Sequence, residues 1–198
     1  MNRGPVGSRA SLGRAALAGV LALALSACGR DPEPFPYGIT SLAVLPAEVI
    51  PMSSRIAGDA VGDHLTSLLQ QTRFRVVGIG STRRILSQPD VMPLFDRFRS
   101  MAVTRGSLEG PVARAMGGLV GSQGLLYPRL ALALRGPVSG TISLTVSCYE
   151  ATEGSRVWQG YAQRSFAGSP GEPAFNRSLG EVVAQIVAQM PRPAGEEE

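Results

Sequence analysis

The sequence predicts a single α/β domain: a β-α-β start, a stretch of short helices, a three-strand antiparallel meander and a C-terminal helix packed on the sheet. Three observations carry this. Apolar residues at Ile56, Ala60, Val61, Leu65, Leu68 and Leu69 recur at helical spacing between two short apolar runs. Residues 141–148 alternate strictly, with Thr141, Ser143, Thr145 and Ser147 set against Ile142, Leu144, Val146 and Cys148. Near the C-terminus, Phe175, Leu179, Val182, Val183, Ile186 and Met190 form one helical stripe.

In chain order, residues 41–45 are a short apolar run stopped by Pro46, the length of a buried strand. Ser53 or Ser54 supplies an N-cap for the first helix, which should end near Thr72. Residues 74–78 then read as the second strand. Short helices are expected over 82–87, broken by Pro89, and over 91–101, with Leu94, Phe95 and Phe98 as the apolar side. Residues 108–119 also fit a helix, weakened by Gly110, Gly117 and Gly118. Strands follow at 124–134, 138–149 and 156–166, with turn residues Arg135-Gly136-Pro137 and Glu153-Gly154 between them. Pro128 cannot donate to a ladder, so the first of these strands is expected at a sheet edge or starting there.

At 198 residues the chain is long enough for one domain with a real core, and 44% hydrophobic against 17% charged residues is a globular balance. The net charge of +4 is misleading as a sign of nucleic-acid binding. Arg3, Arg9 and Arg14 precede Cys28 with no acid among them, and removing them leaves 16 basic against 15 acidic residues. A nearly neutral mature chain has no phosphate-tracking surface.

Those arginines open a secretory signal layout: a basic start, an apolar run over 15–25, then small Ser26 and Ala27. The run is far shorter than the ~20 residues that span a bilayer. The string Leu25-Ser26-Ala27-Cys28 looks like a bacterial lipobox, which implies cleavage between Ala27 and Cys28 and lipid attachment at Cys28. Several acyl chains, at about 0.8 kcal/mol per buried methylene, hold a protein stably to a membrane. Gly29, in place of Asp, resembles lipoproteins sorted to the outer membrane. The organisation that follows is a signal peptide over 1–27, a proline-rich tether over 28–38, a periplasmic domain over 39–190 and a disordered acidic tail over 191–198. Cys148 is then left without a partner in the chain, and its place in the alternation points it into the core.

Two local motifs carry a family resemblance. The first is Leu42-Ala-Val-Leu-Pro46, then a helix with Gly58-Asp59, Leu65, Leu68 and Leu69, then Arg73-Phe74-Arg75-Val76-Val77. The second is the hairpin running from Cys148-Tyr149-Glu150 through Gly154 to Val157-Trp158. Together with the element order they resemble the superfamily of envelope lipoproteins that includes CsgG, PelC, activators of peptidoglycan synthases and the N-terminal domain of TolB. The resemblance covers about residues 40–190. It departs at Pro46-Ala47, where the family often has Pro-Phe, and no amphipathic strand pair is left over for a membrane barrel.

Signatures of catalysis are missing. His64 is the only histidine and stands on the first helix with Asp59 and Asp63, whereas a triad or metal site needs further groups brought in by the fold. It reads as a half-buried structural residue. Gly58-x-x-x-Gly62 reads as close packing on the sheet. Gly78-Ile-Gly80 lacks the third glycine of a dinucleotide loop, and the chain has no lysine for a P-loop. Arg83, Arg84, Arg97, Arg99 and Arg105 read as a solvated face, and Trp158 as core. No catalytic, metal or cofactor site is assigned. The expected protein is a non-enzymatic, lipid-anchored envelope protein, bound to the membrane through Cys28 and acting in envelope biogenesis or secretion. It would either self-associate or be a monomeric module that activates a peptidoglycan synthase; a hydrolase using His64 is the alternative of another class.

Overall fold

The computed structural model describes residues 34–51, 55–136 and 138–194. The signal segment, Cys28 and the candidate N-caps Ser53 and Ser54 lie outside them. Among the described residues no helix is long and apolar enough to cross a membrane.

The mixed α/β fold is built on one sheet. Strand β1 (Ser41–Val44), buried at all four positions, lies parallel between β3 (Arg75–Val77) and β4 (Gly124–Gly136). From β4 the chain meanders antiparallel through β5 (Ser139–Glu150) to β6 (Arg156–Ala167), giving the order β3-β1-β4-β5-β6. After Pro46, β2 (Glu48–Ile50) resumes pairing along the same side of β4.

That interruption corrects the expectation for Pro128. Strand β4 is central rather than at an edge, paired with β1 and β2 on one side and β5 on the other. The proline falls between the two registers, Val44↔Leu126 and Glu48↔Arg129, where the neighbour inserts one extra residue around Pro46. The carbonyl of Leu126 accepts from the Leu45 N–H, so Pro128, two residues on, turns its N toward the same broken side. Two prolines opposite each other cost the ladder one gap instead of two.

Helices α1 (Arg55–Leu69) and α5 (Pro173–Val187) cover one face of the sheet. Their stripes, including Val61, Leu65, Leu179, Val183 and Ile186, pack with Ile142, Leu144, Val146 and Cys148 of β5. The first three helices expected in the middle region are present as α2 (Ile79–Leu86), α3 (Met92–Thr104) and α4 (Gly110–Val120). On the opposite face, Phe98 of α3 sits at the centre of a second core, edge-on to Tyr127 and Tyr149 with centroids at 5.5 and 5.8 Å. Helix α2 joins the two layers: Ile79 belongs to the first core, Leu86 to the second, and the Thr82 hydroxyl donates to the Val44 carbonyl at 2.6 Å.

Phe35, in the stretch read as tether, is 2% exposed and lies edge-on to Phe74 and Trp158. Its N–H donates to the Arg192 carbonyl, and the Ala194 N–H donates to that of Ile39. Residues 34–39 and 191–194 are therefore tied together at the end of the domain where β1 begins.

Candidate interaction surface

The second core covers only half of its face. In β4, Leu125 and Tyr127 lie under the helices, but Arg129, Ala131 and Ala133 continue the same side beyond them, with both alanines exposed. Register extends this side into rows across the sheet. Glu48, Arg129, Thr145 and Tyr161 form one; Ile50, Ala131, Ser143 and Gln163 the next; exposed Ala133 and Ser165 flank the buried Thr141 in the last. Arg129 donates through Nε to Glu48 at 2.7 Å, and Tyr161, 51% exposed, donates to Gln163. Strand β6 flanks this surface as a twelve-residue edge whose only strand partner among the described residues is β5. At the hairpin tip Leu134 and Val138 are also exposed.

Where the helices stop and the bare face begins there is a cleft of about 610 Å³, lined by Pro46, Glu48, Ile50, Asp59, Arg83 and Arg99 among others. Its charges are balanced: Glu48 pairs with Arg129, and Asp59 with Arg83 at 2.8 Å. Beneath it lies Tyr127, whose hydroxyl is sealed from solvent with no hydrogen-bond partner among the described residues; Arg99 is near, but outside bonding geometry. Burial, reinforced by the Glu48 carboxylate, pushes this phenol from 10.0 up to about 12, against the pull of Arg99 and Arg129.

A second cleft, of about 780 Å³, opens at the end where β1 starts. Thr40, Ser41, Arg73, Arg75, Arg114 and Thr152 line it around the small residues Gly117, Gly118 and Gly121, with no acid among the described residues that do. Gln123 fastens its rim, accepting from the Thr40 N–H at 2.9 Å while its own N–H donates to Ser41 Oγ at 3.0 Å. Arg114 donates to the Thr152 carbonyl at 2.9 Å, and Arg75 reaches the Gly121 carbonyl at 3.5 Å, at the negative end of α4. Glu150 stands close by, yet its carboxylate is turned inward. Burial disfavours its charge, but hydrogen bonds from Thr152, Glu153 and Gly154 outweigh this and hold its pKa below the usual range.

The residues singled out from the sequence fall elsewhere. Cys148 is fully buried, and burial, then Glu150, raises its thiol far above the ordinary range. His64 is half-buried on α1, facing Gly180 of α5; a methyl on that glycine would stand 3.4 Å from the ring. Asp59 points about 140° away around the helix, toward Arg83, so the fold does not assemble these groups. Among the described residues no cluster of His, Cys, Asp or Glu is set to hold a metal. The Gly58 and Gly62 pair is a packing feature, with methyls there 2.7 Å from Val49 and 2.6 Å from Ile79. The first is contact with the sheet, as expected, and the second with the start of α2. Gly78 caps α2, and the Ile79 N–H is taken by Thr66 Oγ1 at 3.0 Å, so no phosphate loop forms. In the arginine stretch, Arg97 and Arg105 pair with Glu109, and Arg99 with Asp96, on a solvated face. Trp158 is partly buried against the first core. Neither the bare rows nor the arginine cleft was found from sequence. Strand register creates the rows, and residues 73, 75 and 114 share no local motif.

These features define a mixed α/β domain that presents a bare polar sheet face beside an open edge, with an arginine-lined cleft at its other end. Solved structures share this fold. The lipoprotein GNA1162 from Neisseria meningitidis aligns at 15% identity and a TM-score of 0.51, covering 76% of this chain and 96% of that one. The hypothetical protein CT253 from Chlamydia trachomatis aligns at 11% identity and the same score, covering 76% and 95%. A PelC dodecamer from Paraburkholderia phytofirmans aligns at 10% identity and 0.46, covering 81% and 94%. For the first two, at such identities, the likeness is one of fold. No family model and no curated protein matches the chain.

Proposed function

We propose that this protein is a non-enzymatic accessory factor of the bacterial cell envelope, anchored to the outer membrane by lipid on Cys28, and that it acts by associating with copies of itself through the bare half of its sheet. The observation that carries the associating role is the combination in β6 of a long open edge, ending the row of exposed Tyr161 and half-buried Glu48, Arg129 and Thr145. Open edges of this length are templates for pairing unless they are covered. The anchor is supported by the signal layout and the Leu25-Ser26-Ala27-Cys28 string, and the envelope setting by a fold shared with a lipoprotein. Cleavage before Cys28 would leave the residues ahead of the docked Phe35 to space the domain, in the periplasm, from the lipid surface.

Intact mass of the protein extracted from membranes tests the anchor: acylation at Cys28 is expected, and an unmodified or uncleaved chain would remove it. Light scattering of residues 29–198 over a range of concentrations tests association. A closed oligomer is expected. A monomer at every concentration points instead to a single envelope partner, such as a cell-wall synthase.

A further inference from the structure

We propose that the arginine cleft binds a small, wholly hydrophilic ligand with a phosphate at each end, the class of a bis-phosphorylated sugar or polyol. The cleft runs along one face of α4, where Arg114, Gly117, Gly118 and Gly121 follow one another at helical spacing. An arginine stands at either end. Arg114 donates to the Thr152 carbonyl at 2.9 Å, with its guanidinium 3.3 Å from where a methyl on Gly110 would stand, at the start of the helix. Arg75 donates to the carbonyl of Gly121, the residue that caps the helix end. One backbone bond each orients the two guanidinium planes, and five donors apiece leave both able to take an oxyanion in bidentate fashion. Glu150, next to Ala151 on the wall, is committed to the N–H groups of its own turn and does not neutralise them.

The spacing of the arginines selects the ligand. The rise of α4 between Gly110 and Gly121 sets the two guanidiniums roughly 15 Å apart, and an N–H···O bond of about 2.8 Å at each end leaves roughly 10 Å between the bound oxyanions. A single phosphate or carboxylate cannot bridge that gap, whereas one sugar with a phosphate on either end can. Between the arginines the floor is open backbone, since Gly118 and Gly121 have nothing within 4 Å of an added methyl. Ala151 supplies the only apolar side chain among the residues that line the cleft, so the ligand is polar along its whole length. Gln123, which turns its side-chain oxygen to Thr40, and Thr152 keep donors suited to sugar hydroxyls. The volume of about 780 Å³ is that of a small-molecule site. The negative end of α4 offsets part of the charge of Arg75, so Arg114 holds the tighter phosphate. This inference rests on neither the lipid anchor nor self-association.

Isothermal titration calorimetry on the full chain tests this, with fructose 1,6-bisphosphate as the probe and fructose 6-phosphate and inorganic phosphate as comparators. The bisphosphate is expected to bind at least about ten-fold tighter than either comparator, with an affinity that falls as salt screens the exposed charges. Arg75→Gln should bring it to the level of the monophosphate, and Arg114→Gln below that. Gly118→Leu, which fills the open space over the floor, should abolish binding while the midpoint of thermal unfolding stays at or above the wild-type value. Equal affinities for the bisphosphate and the monophosphate, binding of neither, or unchanged binding in the Gly118→Leu chain would overturn the proposal. So would association with phosphatidylglycerol vesicles that depends on Arg75 and Arg114 in a chain that takes up no bisphosphate, which would assign the cleft to a membrane surface.

Discussion

The two halves of the sheet follow different rules, and β4 passes from one to the other. At its start Leu125, Leu126 and Tyr127 are all buried, because helices lie on both faces. Past Pro128 the strand alternates: Leu130 and Leu132 face α1 and α5, while Arg129, Ala131 and Ala133 face solvent. A continuous apolar run thus marks the doubly covered half and a period-two pattern the half with one bare face. The difference teaches where stability and where contact should reside. Substitutions in the covered half should cost folding energy, and those in the bare half should cost association alone.

The largest effect is expected at Phe98, fully buried between two tyrosines. Phe98→Ala should lower stability by about 3–5 kcal/mol in chemical denaturation. Next comes Gly117→Ala, whose methyl would stand 2.5 Å from the Ala151 side chain and 3.1 Å from the Ser122 carbonyl. Overpacking of that kind costs about 1–3 kcal/mol. Its neighbour Gly118 sharpens the contrast, having nothing within 4 Å of an added methyl. Gly118→Ala should stabilise α4 by about 0.5–1 kcal/mol, the usual advantage of alanine over glycine inside a helix. A loss there would contradict the description of that face as open.

Tyr127 sits on the boundary between the halves, and its effect is confined to alkaline pH. The folded state holds the phenol at about 12 against 10.0 for the ordinary group. Above pH 10 the unfolded chain therefore loses this proton first, and stability falls as pH rises from 10 toward 12. Tyr127→Phe should flatten that part of the pH profile and cost little at neutral pH, since the hydroxyl has no hydrogen-bond partner to lose among the described residues. An unchanged alkaline slope would place the titration on another group.

Much of this division was legible in the sequence, and the misses have physical causes. Alternation over 141–148 located β5 and its two faces, and the spacing of Phe175 to Ile186 gave α5. Pro128 misled because a proline's cost depends on the neighbouring strand, and the matching break at Pro46 lies far off in the chain. Phe35 was hidden among prolines whose extended preference says nothing of the aromatic pair, Phe74 and Trp158, that receives it. The absence of helices over 129–133 and 159–165 is a tertiary fact that no local pattern encodes.

The smallest expected effect on folding, and the largest on assembly, is at Tyr161. The most direct measurement compares Tyr161→Ala with wild type in two readouts on the same sample: solution mass by light scattering and midpoint of thermal unfolding. The account expects a wild-type oligomer, a dissociated variant, and stabilities that agree within about 0.5 kcal/mol at dilutions where the wild type is dissociated too, since association itself stabilises the folded state. An intact oligomer in the variant, or a substantial loss of stability that persists at such dilutions, would contradict the claim that the bare half-sheet is a contact surface rather than part of the core.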